Sequence, residues 1–472
     1  MKKLFGTDGI RSVAGQYPLD APAVHAIGLA LAHHLGASPR VLLGMDTRES
    51  GPSIAAQLTA GLVAGGASVE NAGIITTPAI AHLTHTHGFA AGIVISASHN
   101  PWQDNGIKIF GADGYKLPDA TELAIEEEIF KHLSASHNTV ISTEANSTGT
   151  GAPSSAHDDE SRRETKMGSQ DAPPVNEADR ADYIRFLLAS VPGLSLDNRR
   201  IVIDCANGAA SAVAPELFAQ LGGEVLITHA SPDGRNINEQ CGALHPEIVA
   251  AQVRHQKASL GITFDGDADR ALFADEQGRV VNGDAVLLLA ARDLQTRGLL
   301  TNSTVVATTM SNMGLEAALK RSGIHMLRAA VGDKYVLEQM LATNAALGGE
   351  QSGHIIFSGR STTGDGLLTA LLLLDIVHRS GKSLSELISD LKVFPQVIVN
   401  VKVREKRPLD AIPTIAAAIA AAEKELADSG RVVIRYSGTE ALARVMIEAE
   451  SEPAMRHHAD TIANAIRAEL GI

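Results

Sequence analysis

One local pattern occurs three times in the sequence, and this repetition constrains the fold more than any other feature. In each copy an apolar strand is followed by a polar or small-residue turn, an amphipathic helix, a glycine and a second strand. The copies begin near Val41, Arg200 and Thr304. A strand, helix and strand in this order place two parallel strands in one sheet. We therefore expect three α/β domains of similar fold.

Each copy continues to a further apolar strand that ends in an unusually polar loop. The three stretches read GIVISASHN, LGITFDGDADR and ALGGEQSGH. Loops at the carboxyl ends of parallel strands are where open α/β sheets bind ligands. The pattern therefore predicts that the three loops face one central cleft.

The last part of the chain has a different pattern, with a strand, an Ala-rich helix, two more strands and a final helix, which is typical of a small α+β domain. We predict three similar mixed-sheet α/β domains plus a C-terminal α+β domain around a central cleft. The predicted domains are 1–137, 176–281, 282–392 and 393–472. Residues 138–175 are rich in Ser, Thr, Gly and acidic residues without apolar periodicity, and we predict a flexible linker or insertion there.

Composition argues against several classes of function. The chain has 472 residues, a formal net charge of −14 and only 3% aromatic residues, which disfavours nucleic acid and anionic membranes as partners. An anionic ligand would need its own cluster of cations. No run is long enough to span a bilayer and no signal peptide is evident, so we expect a cytoplasmic protein. Cys205 and Cys241 show neither a disulfide framework nor the paired spacing of a zinc site.

The segment DGDADR places Asp265, Asp267 and Asp269 at alternate positions directly after an apolar strand. In an extended segment this spacing puts three carboxylates on the same side. Three carboxylate oxygens suit Mg²⁺, which takes its other ligands from water and phosphate. The alternatives are a simple Asp/Gly turn or a calcium loop, but the Gly and Glu positions of an EF-hand are not matched and no helix precedes the segment.

Ser98 follows another apolar strand, in the segment SASHNP. A serine at a strand end often only caps a turn. A nearby metal site and the cations Lys108 and Arg270 change this weighing, because they suit a serine that carries phosphate rather than an acyl group. We therefore take a serine of this segment as the candidate nucleophile.

Five motifs occur in a fixed order: FGTDGIR (5–11), ISASHNP with DNGIK (95–108), DGDADR (265–270), GEQSGH (349–354) and RYSGTE (435–440). Together they closely resemble the α-D-phosphohexomutase superfamily, and the resemblance covers nearly the whole chain except residues near 138–175. It implies a mutase that moves a phosphoryl group between two positions of a hexose phosphate. The phosphoryl group would be carried by Ser98, which is then a phosphoserine, and the sugar would pass through a bisphosphate.

The resemblance also implies roles for individual residues. One Mg²⁺ per subunit would be held by Ser98 and the three aspartates. Arg11 and Arg270 would neutralise the phosphoryl group, Lys108 would shuttle a proton or stabilise charge, and His99 would orient the serine loop. The predicted substrate-binding residues are Glu350, Ser352, His354 and Lys334 for the sugar, and Arg435, Ser437, Gly438 and Thr439 for the phosphate that does not react.

Gln351 is typical of the superfamily members that act on glucosamine phosphates, where glucose and mannose mutases often carry Met. The resemblance therefore implies interconversion of glucosamine 6-phosphate and glucosamine 1-phosphate for cell-wall amino sugars, with glucosamine or glucose 1,6-bisphosphate as activator. The alternative is the same chemistry on glucose or mannose phosphates. A phosphosugar-binding protein without turnover and a metal-dependent phosphatase are further alternatives. We expect a small-molecule phosphosugar as the partner, no nucleic acid or membrane, and a monomer or homodimer.

Overall fold

The structure of the protein is a computed structural model that describes residues 2–145, 173–437 and 441–472. The first part of the chain contains a six-stranded sheet in the order β1-β2-β6-β5-β3-β4. Its elements are β1 (Phe5–Gly6), β2 (Gly9–Val13), α1 (Ala21–Leu35), β3 (Arg40–Met45), α2 (Gly51–Ala64), β4 (Ser68–Ile74), α3 (Thr77–Thr86), β5 (Ala91–Ile95), β6 (Asp104–Gly111) and α4 (Asp119–Ala145).

A second sheet of five strands follows, in the order β11-β10-β9-β7-β8. Its elements are α5 (Glu177–Ala189), β7 (Arg200–Asp204), α6 (Ala210–Ala219), β8 (Glu224–Thr228), α7 (Pro246–Gln256), β9 (Leu260–Phe264), β10 (Ala271–Ala274) and β11 (Val280–Val281). The third sheet has the order β13-β12-β14-β15. Its elements are α8 (Gly283–Thr296), β12 (Thr304–Thr308), α9 (Met313–Arg321), β13 (His325–Ala329), α10 (Asp333–Thr343), β14 (Leu347–Gly349), β15 (Ile355–Phe357), α11 (Gly366–Ser380) and α12 (Leu384–Leu387).

The three sheets share one topology. In each, the first strand of the repeat lies parallel to the second and third strands, and a fourth strand pairs antiparallel with the third. These sets are β3, β4, β5 and β6, β7, β8, β9 and β10, and β12, β13, β14 and β15. Strands β5 and β9 are buried along their whole length, as continuous apolar strands of covered sheets are.

The C-terminal part is a small α+β unit whose sheet has the order β16-β18-β17 and is antiparallel throughout. Its elements are β16 (Gln396–Lys402), α13 (Pro413–Leu426), β17 (Gly430–Tyr436), β18 (Leu442–Ala449) and α14 (Glu452–Leu470). The fold class predicted from the sequence is therefore confirmed: three similar mixed α/β sheets and a C-terminal α+β unit.

The hydrophobic cores follow this division. One cluster of buried residues is shared by the first three sheets, and the C-terminal unit has a cluster of its own. Polar contacts connect this unit to the third sheet, because Glu448 Oε1 accepts a hydrogen bond from Met313 N at 2.8 Å and Arg431 Nη1 donates to Thr309 O at 2.8 Å. A buried carboxylate and an arginine thus contribute to the attachment of the C-terminal unit.

The domain boundaries stay predictions, but the structure differs from one of them. Helix α4 continues to Ala145, so the first residues of the segment predicted as a linker, 138–145, are helical. At the other end Val175 forms a bridge with Asn71 of β4. Residues 146–172, the middle of the predicted linker, lie outside the described residues. Among the residues that the structure describes, no helix is long and apolar enough to cross a membrane.

Candidate active site

The polar loops after β5, β9 and β14 meet, as the repeat predicts. Thr77 N, at the start of α3, donates a hydrogen bond of 3.0 Å to Asp267 O. The segment DGDADR (265–270) is called the Asp loop below. Ala271 N, directly after it, donates a hydrogen bond of 3.1 Å to Gly353 O. A Cβ atom on Gly266 would lie 2.4 Å from Ser98 O. Only glycine at position 266 therefore lets the Asp loop approach the loop of residues 96–104, here called the serine loop, so closely.

Ser98 lies in the loop after β5 with a φ of +53° and is 1% exposed. Its Oγ donates a hydrogen bond of 2.5 Å to Asp265 Oδ2, and its backbone N donates one of 2.9 Å to Ser96 Oγ. Ser96 Oγ in turn donates to Asp46 Oδ2 at 2.6 Å. Ser98 is therefore the serine hydroxyl that faces the aspartate cluster, while Ser96 supports the loop.

The three aspartates of DGDADR converge on one point. Asp265, Asp267 and Asp269 are buried, and each offers a carboxylate oxygen within 4.8 Å of the other two. Burial and the charges of Asp269 and Asp267 raise the pKa of Asp265 well above its usual range. Oδ1 of Asp267 and Oδ1 of Asp269 are buried and have no hydrogen-bond partner among the described residues. This oxygen cluster fits a hard divalent cation, which would offset the repulsion between the carboxylates.

Lys108 points from β6 into the same cluster and is 1% exposed. Its Nζ lies 2.7 Å from Asp267 Oδ2, 3.4 Å from Asp269 Oδ2 and 3.0 Å from Asp8 Oδ2. Burial by itself lowers the pKa of Lys108, but the charges of Asp267, Asp8 and Asp269 outweigh it and hold the pKa well above the usual range. Lys108 is therefore a fixed positive charge beside the serine loop.

Asp8 and Lys116 are two members of this network that the sequence analysis missed. Asp8 pairs with Arg11, Lys108 and Lys116, and Lys116 also pairs with Asp333 of α10. Burial raises the pKa of Asp8, but these three cations together bring it well below its usual range. Asp8 belongs to the FGTDGIR motif, which is a signal that could have found it, whereas Lys116 lies in no motif.

A cavity of about 350 Å³ opens beside the aspartate cluster and is lined by Arg11, His99, Arg270, Glu350 and His354 among others. The charges of Asp269 and Asp265 raise the pKa of Arg270 against the opposing effect of burial. Nε of Arg11 and Nε of Arg270 are buried and have no hydrogen-bond partner among the described residues. The cavity thus offers two guanidinium groups to an anion.

The pKa values of His99 and His354 are shifted in opposite directions. His99 Nδ1 lies 3.3 Å from Ser98 Oγ, and burial together with Arg270 and Arg11 lowers the pKa of His99. Burial also lowers the pKa of His354, but Asp269, whose Oδ2 lies 3.7 Å from His354 Nδ1, raises it overall. A neutral imidazole therefore lies next to Ser98, and a more basic one lies in the loop after β14.

Glu350 and Ser352 belong to the loop after β14. The Glu350 carboxylate accepts hydrogen bonds from Gly332 N at 3.1 Å and from Ser352 Oγ at 3.2 Å. Gln351 turns away from this pair, since its Nε2 donates to Asp284 Oδ2 at 3.2 Å. Gln351 thus holds the loop to the start of α8, whereas Glu350 lines the cavity.

Not every predicted site residue lies at this cavity. Lys334 pairs with Asp119 and lines a neighbouring cavity of about 490 Å³. Arg435 is exposed on β17 and lines a separate pocket of the C-terminal unit. Ser437 is buried, and its carbonyl oxygen accepts a hydrogen bond of 2.6 Å from Lys406 Nζ. Gly438 and Thr439 lie outside the described residues.

Arg48 is the largest omission of the sequence analysis. Its side chain is fully buried and pairs with Asp46 at 2.9 Å. It also donates hydrogen bonds to four carbonyl oxygens of the serine loop, those of Ser98, Asn100, Pro101 and Asp104. Asn238 of the second sheet donates to Ser98 O at 2.9 Å. The sequence signal for Arg48 was the polar segment DTR at the carboxyl end of β3, which is the position where the other loops of the site begin.

A buried serine beside three carboxylates, in a cavity lined with arginines and formed by repeated α/β sheets, defines a class of phosphoryl-transfer enzyme. Four family models match the chain. They are described as phosphoglucomutase/phosphomannomutase alpha/beta/alpha domain I (residues 2–138), domain II (181–278), domain III (282–394) and C-terminal domain (398–465). The chain belongs to the phosphoglucomutase/phosphomannomutase family.

Relatives narrow the family further. A phosphoglucosamine mutase of Koribacter versatilis is 57% identical over 100% of this chain and 98% of its own length. One of Solibacter usitatus is 48% identical over 100% of this chain and 99% of its own length. The protein is accordingly a phosphohexomutase of the phosphoglucosamine mutase type, an enzyme of the isomerase class.

Solved structures share the fold. A phosphoglucomutase/phosphomannomutase family protein from Burkholderia thailandensis has a TM-score of 0.74 at 24% identity and covers 100% of both chains. The Aspergillus fumigatus N-acetylphosphoglucosamine mutase, in complex with GlcNAc-6P and magnesium, has a TM-score of 0.59 at 21% identity and covers 99% of this chain and 96% of that one. At these identities the likeness establishes the fold.

Proposed function

We propose that the protein interconverts glucosamine 6-phosphate and glucosamine 1-phosphate through phosphorylated Ser98 and a 1,6-bisphosphate. The observation that carries the proposal is the position of Ser98 Oγ, 2.5 Å from Asp265 Oδ2 and buried. The arginine-lined cavity beside it supplies the charge that a phosphosugar needs. Relatives named phosphoglucosamine mutase over the whole chain support glucosamine phosphate as the substrate.

The cation in this proposal is Mg²⁺, one per subunit. Asp265, Asp267 and Asp269 would hold it, with an oxygen of the phosphorylated Ser98 as a further ligand. The unpartnered buried oxygens of Asp267 and Asp269 support this assignment, as does the preference of Mg²⁺ for carboxylate and phosphate oxygens. When bound, the ion neutralises charge on the transferring phosphoryl group.

Phosphoryl transfer breaks the bond between phosphorus and Ser98 Oγ and forms a bond to the free sugar hydroxyl. One proton moves from that hydroxyl to Oγ. His99 Nδ1, at 3.3 Å from Oγ, is suited to pass the proton because its lowered pKa keeps the ring neutral between transfers. Lys108, whose Nζ lies 2.7 Å from Asp267 Oδ2, would stabilise charge or shuttle a proton. The reverse transfer, from the other phosphate of the reoriented sugar, restores the phosphoserine.

Sugar recognition would use Glu350, Ser352 and His354, all close to the cavity. The hydrogen bonds between Glu350, Gly332 and Ser352 fix the carboxylate orientation, which leaves the pair preorganised for sugar hydroxyl groups. Lys334 would act at the edge of this region. The phosphate that does not react would bind in the C-terminal unit at Arg435, Ser437, Gly438 and Thr439, with Lys406 as an additional cation next to Ser437.

The activator would be glucosamine 1,6-bisphosphate or glucose 1,6-bisphosphate, which can return a phosphoryl group to an unphosphorylated Ser98. We further propose a cytoplasmic enzyme that works as a monomer or a homodimer. No nucleic acid or membrane takes part in this reaction. Phosphosugars are the expected partners, and two structural neighbours are described as complexes with GlcNAc-6P and with glucose 1,6-bisphosphate.

The experiment that tests the substrate compares kcat/KM for glucosamine 6-phosphate, glucose 6-phosphate and mannose 6-phosphate in the presence of Mg²⁺ and the bisphosphate activator. We expect the highest value for glucosamine 6-phosphate and weak activity with glucose 6-phosphate, since an amino group in place of one hydroxyl changes few contacts. A clear preference for mannose or glucose phosphate would favour the alternative substrate class. Release of free phosphate without isomerisation would indicate a phosphatase.

A further inference from the structure

A second cluster of metal-ligating side chains lies outside the active site, at the carboxyl end of β7. It consists of Asp204, His229 and Cys241, whose ligand atoms lie within 4.8 Å of one another. Asp204 and Cys241 are buried and the His229 side chain is 31% exposed. The reaction proposed above uses none of these side chains. The cluster therefore needs an explanation of its own.

The donor atoms of the cluster lie close enough together for one cation to bind all three residues. His229 Nδ1 is buried and lies 3.1 Å from Asp204 Oδ1, outside good hydrogen-bond geometry, and Asp204 raises the pKa of His229. A cation that displaces the proton between these two atoms would gain the Cys241 sulfur as a further ligand. Ligand atoms of a tetrahedral zinc site lie about 3.3–3.6 Å apart, given Zn–N and Zn–O bonds near 2.0 Å and Zn–S bonds near 2.3 Å.

The backbone around the cluster fixes the ligands in place. Asp204 Oδ1 accepts a hydrogen bond of 2.9 Å from Ala206 N, and Asp204 Oδ2 accepts one of 3.0 Å from Gly242 N, next to Cys241. His229 O accepts one of 2.6 Å from Asn207 N. Hydrogen bonds of this kind orient the side chains that ligate the ion in metal sites. Asp204 keeps a lone pair on each oxygen for a cation.

We propose that Asp204, His229 and Cys241 form a binding site for a thiophilic divalent transition cation of the Zn²⁺ class, separate from the Mg²⁺ site. The donor set of one carboxylate, one imidazole and one sulfur selects such an ion over Mg²⁺, which prefers oxygen ligands alone. The partial exposure of His229 leaves a route for entry and a fourth position for water. Burial, with the charges of Asp204 and Glu239, raises the pKa of Cys241 to about 12, so binding expels the thiol proton to solvent.

The position of the cluster links it to the serine loop. Cys241 is three residues from Asn238, whose Nδ2 donates to Ser98 O and whose backbone N donates to Ala206 O at 2.9 Å. A cation that joins Asp204 to Cys241 therefore closes a ring of contacts around the segment that supports Ser98. This segment is rigidified by metal, and the folded state gains stability by mass action.

Cobalt absorption spectroscopy tests the site, because only a thiolate ligand gives an intense sulfur-to-cobalt charge-transfer band. The full-length protein is freed of metal and kept reduced, Mg²⁺ is added in excess to occupy the aspartate cluster, and Co²⁺ is then titrated. The chain contains a matched control, since Cys205 is equally buried and is next to Asp204 in sequence but outside the cluster. The variants are Cys241→Ala, Cys205→Ala and His229→Ala.

We expect the charge-transfer band in the parent protein and in Cys205→Ala, and its loss in Cys241→Ala. His229→Ala should weaken Co²⁺ binding by at least about tenfold. Zn²⁺ should raise the Tm of the parent and of Cys205→Ala but not that of Cys241→Ala. The melting transition of each variant also shows that the variant is folded. The absence of a band in the parent, its persistence in Cys241→Ala, or its loss in Cys205→Ala would overturn the proposal.

Discussion

Ser98 Oγ donates a hydrogen bond of 2.5 Å to Asp265 Oδ2, across the contact between the first and second sheets. The neighbouring Ser96 hydroxyl bonds to Asp46 instead, inside the first sheet. The two serines of SASH therefore have different tasks, although they are two residues apart. Mutation of each should separate the chemistry from the support of the loop.

The first prediction concerns these serines. Ser98→Ala should lose mutase activity by at least about a thousandfold, because it removes the hydroxyl that would carry the phosphoryl group. Ser96→Ala should keep far more activity but lose about 1–3 kcal/mol of stability, since Asp46 and Ser98 N both lose a buried partner. A coupled assay and chemical denaturation measure the two effects. Intact-mass and peptide spectra should locate phosphate on Ser98 in part of the purified protein, and phosphate on Ser96 would contradict the assignment.

The second prediction concerns the cation. Asp267→Asn removes one charged ligand, so the Mg²⁺ concentration for half-maximal activity should rise by about tenfold to a hundredfold and turnover should fall. Glu247→Gln, at an exposed carboxylate on α7, is the control and should leave the titration unchanged. An unaltered Mg²⁺ titration in Asp267→Asn would remove this residue from the ligand set.

The third prediction concerns Arg48. Arg48→Met leaves the Asp46 carboxylate buried without its cation and frees four carbonyl oxygens of the serine loop, so we expect a loss of about 3–5 kcal/mol in the free energy of unfolding. Arg292→Met removes a solvent-exposed ion pair with Asp390. This change should lower the free energy of unfolding by about 1 kcal/mol or less. Urea denaturation compares the two.

A second variant keeps this prediction testable if Arg48→Met does not fold. Arg48→Lys retains the charge next to Asp46 but cannot form the same set of hydrogen bonds, because an ammonium group lacks the planar fork of a guanidinium. Its stability should lie between those of Arg48→Met and the parent, with reduced kcat. Parent-like kcat in Arg48→Lys would show that the loop does not depend on the guanidinium.

The fourth prediction concerns pH. Burial raises the pKa of Asp365, the N-cap of α11 and the acceptor of the Tyr183 hydroxyl, to about 6. A carboxyl with a raised pKa in the folded state costs stability as pH rises from about 4 to 6, up to about 3 kcal/mol. Asp365→Asn should remove this loss. The stability of Asp365→Asn relative to the parent should therefore increase as pH rises from about 4 to 6.

Denaturation midpoints at several pH values measure this difference. Asp390→Asn provides a control of opposite sign, because Arg292 lowers the pKa of Asp390 and the parent's advantage there should shrink as pH falls. A difference between Asp365→Asn and the parent that does not change with pH would contradict the raised pKa.

The fifth prediction concerns the segment after α4. Replacing residues 146–172 with a shorter Gly/Ser spacer should leave folding and turnover nearly unchanged, because the composition of this stretch provides no apolar core to lose. Helix α4 is kept to Ala145 in this variant. Loss of cooperative unfolding or of mutase activity would show that the segment packs against the rest of the protein.

Several features of the protein were determined by the sequence alone. The three repeats predicted the strands β3, β7 and β12 and their parallel partners, because periodic apolar residues and short turns decide local structure and crossover direction. The motifs also named Ser98 and the three aspartates before any geometry was known. The alternate spacing of those aspartates is a local property of one extended segment.

Tertiary structure decided the remaining features. Arg48 joins four carbonyl oxygens of a loop about fifty residues away, and Lys116 meets Asp333 from a different sheet, so no local pattern could reveal either. Asp204, His229 and Cys241 are separated along the chain without motif spacing, and only the packing of three turns at the end of β7 brings their donor atoms together. Sequence determines what each segment prefers to form, whereas contacts between distant segments depend on how the sheets pack, and burial then sets the charge states that the site uses.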